Sequence, residues 1–310
     1  MERFKNILFA SCGGQEDLAA IDRANQLAMS NQARITLVRV IDELPAAAGY
    51  LILKKRLATL HEAARTLAQN DLDELASHID PTLKVETRVL VGKPFIEMIR
   101  VVLSHSHDLI IKPKQAVVKE PALDSTDLHL LRKCPCPVWI IKPSQRKPFG
   151  KILIAVDPDP ADPQRLSLHT ELIKLGTSLA KSEQGKVEVV HIWDLQGATT
   201  LRGPRFNLSE EEIVVMTNEM QAIRQKQLAE LLAPYAASRI KTSLVQGDPG
   251  PTLVSLIEKR KPDIVVMGTV ARTGLPGLLI GNTAEFVLAR ISCSILAIKP
   301  QGFNTPVTVS

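Results

Sequence analysis

The feature that most constrains the fold of this 310-residue chain is that it reads twice. Phe4-Lys5-Asn6-Ile7-Leu8-Phe9-Ala10 repeats in pattern as Phe149-Gly150-Lys151-Ile152-Leu153-Ile154-Ala155. Val91-Gly92-Lys93-Pro94 answers Gln246-Gly247-Asp248-Pro249, and Asp108-Leu109-Ile110-Ile111 answers Asp263-Ile264-Val265-Val266. Both halves close alike, on Cys136-Pro137-Val138-Trp139-Ile140-Ile141-Lys142-Pro143 and on Cys293-Ser294-Ile295-Leu296-Ala297-Ile298-Lys299-Pro300. Anchors that recur in one order point to two copies of a single domain. The length agrees, because one core organises roughly 150 residues. The expected division is a first domain over 1–143, a polar, proline-bounded linker over 144–150, and a second domain over 151–310.

Within each half, short β-branched runs alternate with helical periodicity, the pattern of β-α-β units around a parallel sheet. Strands are expected at Ile7–Ala10, Ile35–Val40, Val85–Val91, Leu109–Ile111 and Val138–Ile141, then at Ile152–Val156, Val187–Ile192, Thr242–Val245, Ile264–Met267 and Ile295–Ile298. Apolar stripes mark the helices between them: Leu18, Ile21, Asn25 and Ala28, with one polar position; Leu168, Leu172, Leu175 and Leu179; and Ile213, Met216, Met220 and Ile223. Such stripes are expected to face the core. The fold class is therefore α/β, two tandem five-stranded, mostly parallel, doubly wound Rossmann-like domains. In such sheets a ligand crevice opens beyond the carboxyl ends of the strands.

Composition narrows the function classes. Apolar residues make up 45% of the chain and charged residues 23%, as in ordinary globular proteins. The apolar runs fall short of the roughly 20 residues that span a bilayer, and the N-terminus lacks a signal-peptide pattern. A cytoplasmic location is expected. The net charge of +5 is spread along the chain, and two Trp, two Tyr and seven Phe do not form a basic-aromatic surface. Nucleic acid is not an expected partner. Four cysteines make no disulfide framework, and Cys134-Pro135-Cys136 reads as small residues leading into a buried strand.

The strand ends carry the informative residues. Asp157 follows the first strand of the second half, where a carboxylate can reach a crevice ligand or serve a turn. After the fourth strand, Gly268-Thr269-Val270-Ala271-Arg272-Thr273-Gly274-Leu275-Pro276-Gly277-Leu278-Leu279-Ile280-Gly281-Asn282-Thr283 forms a glycine-rich loop that leads into a helix. Such a loop lets backbone N–H groups approach phosphate; equally, its glycines can serve turns while Asn282 or Thr283 caps the helix.

This segment resembles the ATP-loop of the universal stress proteins: Gly, two residues, Gly, nine residues, Gly, then Ser or Thr. Gly268 and Gly281 stand at the first and third glycines. Ala271 replaces the second, and Asn282 stands at the Ser/Thr position, with Thr283 next. The resemblance covers nearly the whole chain and is strongest to the family's two-domain branch. It implies the adenine nucleotide α-hydrolase-like fold, domains paired through edge strands as a pseudo-dimer, and ATP or AMP as ligand, with Asp157 and Ile192 beside the base. It also implies a cytoplasmic role in surviving stress, DNA damage included, with a homo-oligomer or an unidentified protein as partner.

The first half has lost the motif. Lys112-Pro113-Lys114-Gln115-Ala116-Val117-Val118-Lys119-Glu120-Pro121-Ala122-Leu123-Asp124-Ser125-Thr126 offers no glycine, and Cys12 replaces the strand-end aspartate. Nucleotide is therefore expected only in the second half. Ser11-Cys12-Gly13-Gly14-Gln15-Glu16-Asp17 is a poor match to a pyrophosphatase loop, lacking its closing serine. No histidine sits in a nucleophile or metal motif, so no catalytic residue and no metal are expected, and at most trace ATPase activity. The alternative is a scaffold, or a module for an amphipathic metabolite, built on degenerate nucleotide sites.

Overall fold

The structure, a computed structural model, describes residues 4–43, 54–115, 123–142, 149–158, 162–195, 208–269 and 280–309, and of 54–58 the backbone alone. The first half runs β1 (Asn6–Ala10), α1 (Glu16–Asn31), β2 (Arg34–Ile41), α2 (Lys54–Ser77), β3 (Val85–Val91), α3 (Pro94–His105), β4 (Leu109–Pro113), α4 (Ser125–Lys133) and β5 (Val138–Ile141). The second repeats it as β6 (Lys151–Val156), α5 (Pro163–Glu183), β7 (Lys186–Trp193), α6 (Glu210–Leu232), a 3-10 turn (Ala233–Tyr235), β8 (Ile240–Gln246), α7 (Pro249–Arg260), β9 (Ile264–Gly268), α8 (Asn282–Leu288) and β10 (Ser294–Ile298). Each expected strand is present, with ends within two residues of those read from the sequence.

All ten strands join one sheet in the order β3-β2-β1-β4-β5-β10-β9-β6-β7-β8. Pairing is parallel within each half and antiparallel between β5 and β10, where Ile295 faces Ile140, Leu296 faces Trp139 and Ala297 faces Val138. The two halves therefore make a pseudo-dimer with a continuous sheet, and two edges that would invite aggregation are covered. Alternate side chains feed two cores. Ile7 and Phe9 pack with α1 and α2 on one face, while Leu8 and Ala10 pack with α3 and α4 on the other.

A buried ion pair closes the seam on the first face. Arg23 of α1 meets Glu183 of α5 at 2.7 Å. The other Glu183 oxygen accepts from the Phe149 N–H at 2.8 Å, and the Arg23 guanidinium lies 3.5 Å from the centre of the Phe149 ring.

The repeated Gly-x-Pro anchor also has a local cause. Gly92 and Gly247 leave β3 and β8 at φ 148° and 150°, a region open mainly to glycine. Pro94 and Pro249 then open α3 and α7, where a missing N–H costs nothing.

Two of the apolar stripes are displaced from expectation. Leu18 is 40% and Ile223 49% exposed. On α6 the buried line runs from Ile213 to Leu228 and Leu231, because a 3.6-residue period carries position 223 round to solvent. The polar position on α1 has a clear use: Asn25 accepts from the Asp80 N–H at 3.0 Å and ties α1 to the turn before β3. Among the described residues, no helix is long and apolar enough to cross a membrane.

Candidate functional site

In the second half the strand order reverses between β6 and β9, and a crevice of about 360 Å³ opens at the carboxyl ends of β6 and β7. Its wall combines Asp157 after β6, His191, Ile192 and Trp193 of β7, Asp194, Arg224 of α6, Asp248 and Pro249 at the head of α7, and Thr283 of α8. Of the residues singled out from sequence, Asp157, Ile192 and Thr283 thus come together in one cavity. His191, Trp193, Asp194, Arg224 and Asp248 were missed. Asp248 lies inside the repeated Gly-x-Pro anchor, a signal that could have flagged it; Arg224 reaches the site from a helix with no local motif.

Asp157 is held from two sides. Its carboxylate pairs with Arg165 of α5, which also donates to the Asp157 carbonyl at 3.1 Å. Its N–H donates to Nε2 of His169 at 3.3 Å, so His169 carries its proton on Nδ1. Burial of His169, opposed by the Asp157 charge, lowers its pKa to about 4. His191 is 1% exposed, with Nδ1 3.1 Å from the Val156 carbonyl and 3.9 Å from the Asp157 carboxylate. His191 is therefore both an interior group and part of the crevice wall.

The loop residues have separable reasons for their identities. A Cβ on Gly268 would meet Leu168 at 3.0 Å, so tight packing of α5 on β9 already favours glycine there. Gly281 is the N-cap of α8 at φ −68°, a conformation any residue adopts, and its N–H donates to the Thr269 carbonyl at 3.0 Å. Neither Asn282 nor Thr283 caps the helix; Asn282 is exposed and Thr283 half-buried. Ala271 and the other residues of 270–279 lie outside the described residues, as do 144–148 of the expected linker.

At the equivalent place in the first half, the chain supplies its own charges. Asp17 is 2% exposed and accepts from the Ser11 hydroxyl at 2.7 Å, the Cys12 N–H at 2.9 Å and the Gly13 N–H at 2.8 Å. The Cys12 thiol, pushed by burial up to about 11, donates to the Pro113 carbonyl at 3.3 Å. Below it, the Lys112 ammonium lies 2.7 Å from Asp127 and 3.3 Å from Asp124. Burial pulls Lys112 down, but the Asp127 and Asp124 charges outweigh it and hold the ammonium protonated. Asp124 and Asp127 cap α4 reciprocally, each accepting from the other's backbone N–H.

His107, two residues beyond α3, bridges Thr36 Oγ1 at 3.0 Å and the Val101 carbonyl at 3.2 Å. Burial lowers its pKa to about 4. Among the described residues, no group of three or more His, Cys, Asp or Glu is arranged to hold a metal ion.

A ten-stranded sheet of two doubly wound halves, with a strand-end crevice in the second, defines a tandem α/β protein of the Rossmann-like class. The model of the universal stress protein family matches residues 3–142 and again 148–299, and the chain belongs to that family of stress-response proteins. Universal stress protein E of Escherichia coli K12 is 31% identical over 270 residues, 83% of this chain and 78% of that protein. A functionally unknown protein from Pseudomonas aeruginosa PAO1 has the same fold across 97% of this chain and 95% of its own, at TM-score 0.70 and 24% identity. A universal stress protein solved in complex with cAMP covers 46% of this chain and 99% of its own, at 18% identity and TM-score 0.33.

Proposed function

We propose that this protein is a non-catalytic or nearly non-catalytic stress-response protein that binds an adenine nucleotide, ATP or AMP, in its second half only, and acts in the cytoplasm in survival under stress, DNA damage included. The observation that carries the reading is the convergence of Asp157, Ile192 and Thr283, from three separate elements, on one strand-end crevice. Acceptor oxygens of Asp157, Asp194 and Asp248 suit ribose hydroxyls and an exocyclic amine. Phosphates would then lie toward the backbone of Gly268 to Ala271 and of Gly281 to Thr283, with the N–H groups of Asn282 and Thr283 as donors because that of Gly281 is taken by the Thr269 carbonyl. The first half is the counter-case, because Asp17, Asp124 and Asp127 bring negative charge to the corresponding places.

Calorimetric titration of the full chain with ATP and with AMP tests this. Gly281 needs no special φ, so Gly281→Val probes close approach alone; it should abolish binding, while Ala271→Gly should tighten it. Turnover of ATP should stay at a trace level, far below the roughly 10 per second typical of enzymes. Nucleotide affinity that neither substitution changes, or binding confined to the first half, would replace this reading with a scaffold or metabolite module.

A further inference from the structure

A second chemistry-bearing cluster lies at the head of β5, apart from the crevice. Cys134 follows α4 as its C-cap and is fully buried, Cys136 is half-buried, and their sulfurs are 3.5 Å apart. The repeat shows that this pair is peculiar to one half: Cys134-Pro135-Cys136 corresponds to Ile291-Ser292-Cys293. Beside the pair, and from the other half, sits Lys299 just beyond β10. Its side chain is buried, and its ammonium donates to the Leu131 carbonyl at 2.8 Å with no carboxylate paired to it among the described residues. An ammonium placed so is costly unless a negative charge lies near. The neighbouring sulfurs can provide one. Burial draws Lys299 down to about 8, with Cys134 and Cys136 opposing that fall. Burial works against ionisation of Cys134, but the Cys136 S–H bond and Lys299 outweigh it and draw that thiol below its ordinary range.

We propose that Cys134 and Cys136 are a redox pair that closes reversibly to an intrachain disulfide by exchange with low-molecular-weight disulfides of the glutathione class. The pair carries one negative charge, because the S–H of one sulfur bonds the other and, with burial, pushes ionisation of Cys136 well up while Cys134 stays charged. When the proton passes to Cys134, Cys136, the less buried of the two residues, attacks one sulfur of the small disulfide as the thiolate. A mixed S–S bond forms and one small thiolate leaves. Cys134 then attacks the Cys136 sulfur, breaks the mixed bond and expels the second small thiolate. The two cysteines lose two electrons, the small disulfide gains them, and the two thiol protons end on the departing thiolates. Closing the gap to the roughly 2.05 Å of a disulfide is a side-chain movement, since the two sulfurs already face each other. A ring this small gains little from chain entropy, so the bond should be readily reduced again. The remaining cysteines are poor competitors: burial pushes Cys12 up to about 11 and Cys293 up to about 12. Oxidation would also strip Lys299 of its counter-charge next to the β5–β10 seam, which links the thiol state to the contact between halves.

The test equilibrates the full chain in mixtures of reduced and oxidised glutathione, quenches with acid, alkylates the remaining thiols and maps the peptides by mass. Under oxidising mixtures the peptide holding Cys134 and Cys136 should lose both alkylation sites together and two hydrogens in mass. Cys12 and Cys293 should stay alkylated, and dithiothreitol should restore the pair. Cys136→Ser should leave Cys134 alkylated throughout, and Lys299→Met should slow closure about tenfold at pH 7, because the thiolate loses its cation. A wild-type chain that keeps all four cysteines alkylatable, or stops at a glutathione adduct on Cys136, overturns the proposal. So does loss of two sites in Cys136→Ser, and a Lys299→Met chain that closes at the wild-type rate removes Lys299 from it.

Discussion

Lys112 and Met267 stand at the same position of β4 and β9, and the difference between them changes what each half can hold. In the second half the apolar Met267 and the neutral N-cap Gly281 put no charge at these positions of β9 and α8. In the first, Lys112 is locked between Asp124 and Asp127, with Asp127 fully buried. Removing one member of a buried pair leaves an uncompensated charge, so Lys112→Met should destabilise the chain by about 3–5 kcal/mol in urea denaturation. Adding Asp124→Gly and Asp127→Ala, the residues of the second half, should recover most of that loss, because no buried charge then remains. The sequence made the missing glycines of the first half legible. It did not reveal that Asp17 and the lysine cluster fill the place, since Asp17 lies five residues from Cys12 and pairs only once α1 folds back.

At the scale of elements, the strands were legible because residues buried on both faces form unbroken apolar runs, as in Leu109–Ile111 of β4 and Ile264–Met267 of β9. The edge strand β8 was read short, as Thr242–Val245 against Ile240–Gln246, because it is half-exposed and Lys241 and Gln246 break the apolar pattern near its ends. Helix faces were less legible. Stripes assigned from four positions go astray when solvent-facing apolar residues such as Leu18 and Ile223 fall near the right spacing. Helix ends show one further property no pattern announced: Gln32, Ser106, Gln184 and Lys261 all end helices in the left-handed region, at φ 51°, 53°, 53° and 48°. None is glycine, so each carries a steric cost. Lys261→Gly should therefore raise stability by about 0.5–1 kcal/mol, an increase in the urea midpoint at unchanged slope. Gly247→Ala should do the opposite, since φ is 150° and the new methyl would meet Thr252 Oγ1 at 2.5 Å.

Across the whole molecule, buried histidines of both halves couple stability to acid in the same direction. His107 joins β2 to α3 in the first half, and His169 braces Asp157 in the second; both are lowered by burial to about 4. In the unfolded chain a histidine titrates near 6.5. Between these values the unfolded state binds protons that the folded state refuses, so stability is fully present above about 6.5 and is lost as pH falls toward 4. Each group contributes a slope of at most about 1.4 kcal/mol per pH unit, and two give about 2–3 together, ahead of the carboxylates that protonate lower still. The continuous sheet transmits a loss in either half across the β5–β10 pairing and the Arg23–Glu183 pair, so one cooperative transition is expected throughout. Urea denaturation at steps from pH 7 to 4.5 should show the midpoint falling steadily. His107→Gln with His169→Gln, which keeps acceptors toward Thr36 and the Asp157 N–H but cannot take a proton, should flatten most of that slope. A midpoint that holds constant over this range in the wild-type chain would show that neither histidine is buried in its neutral form.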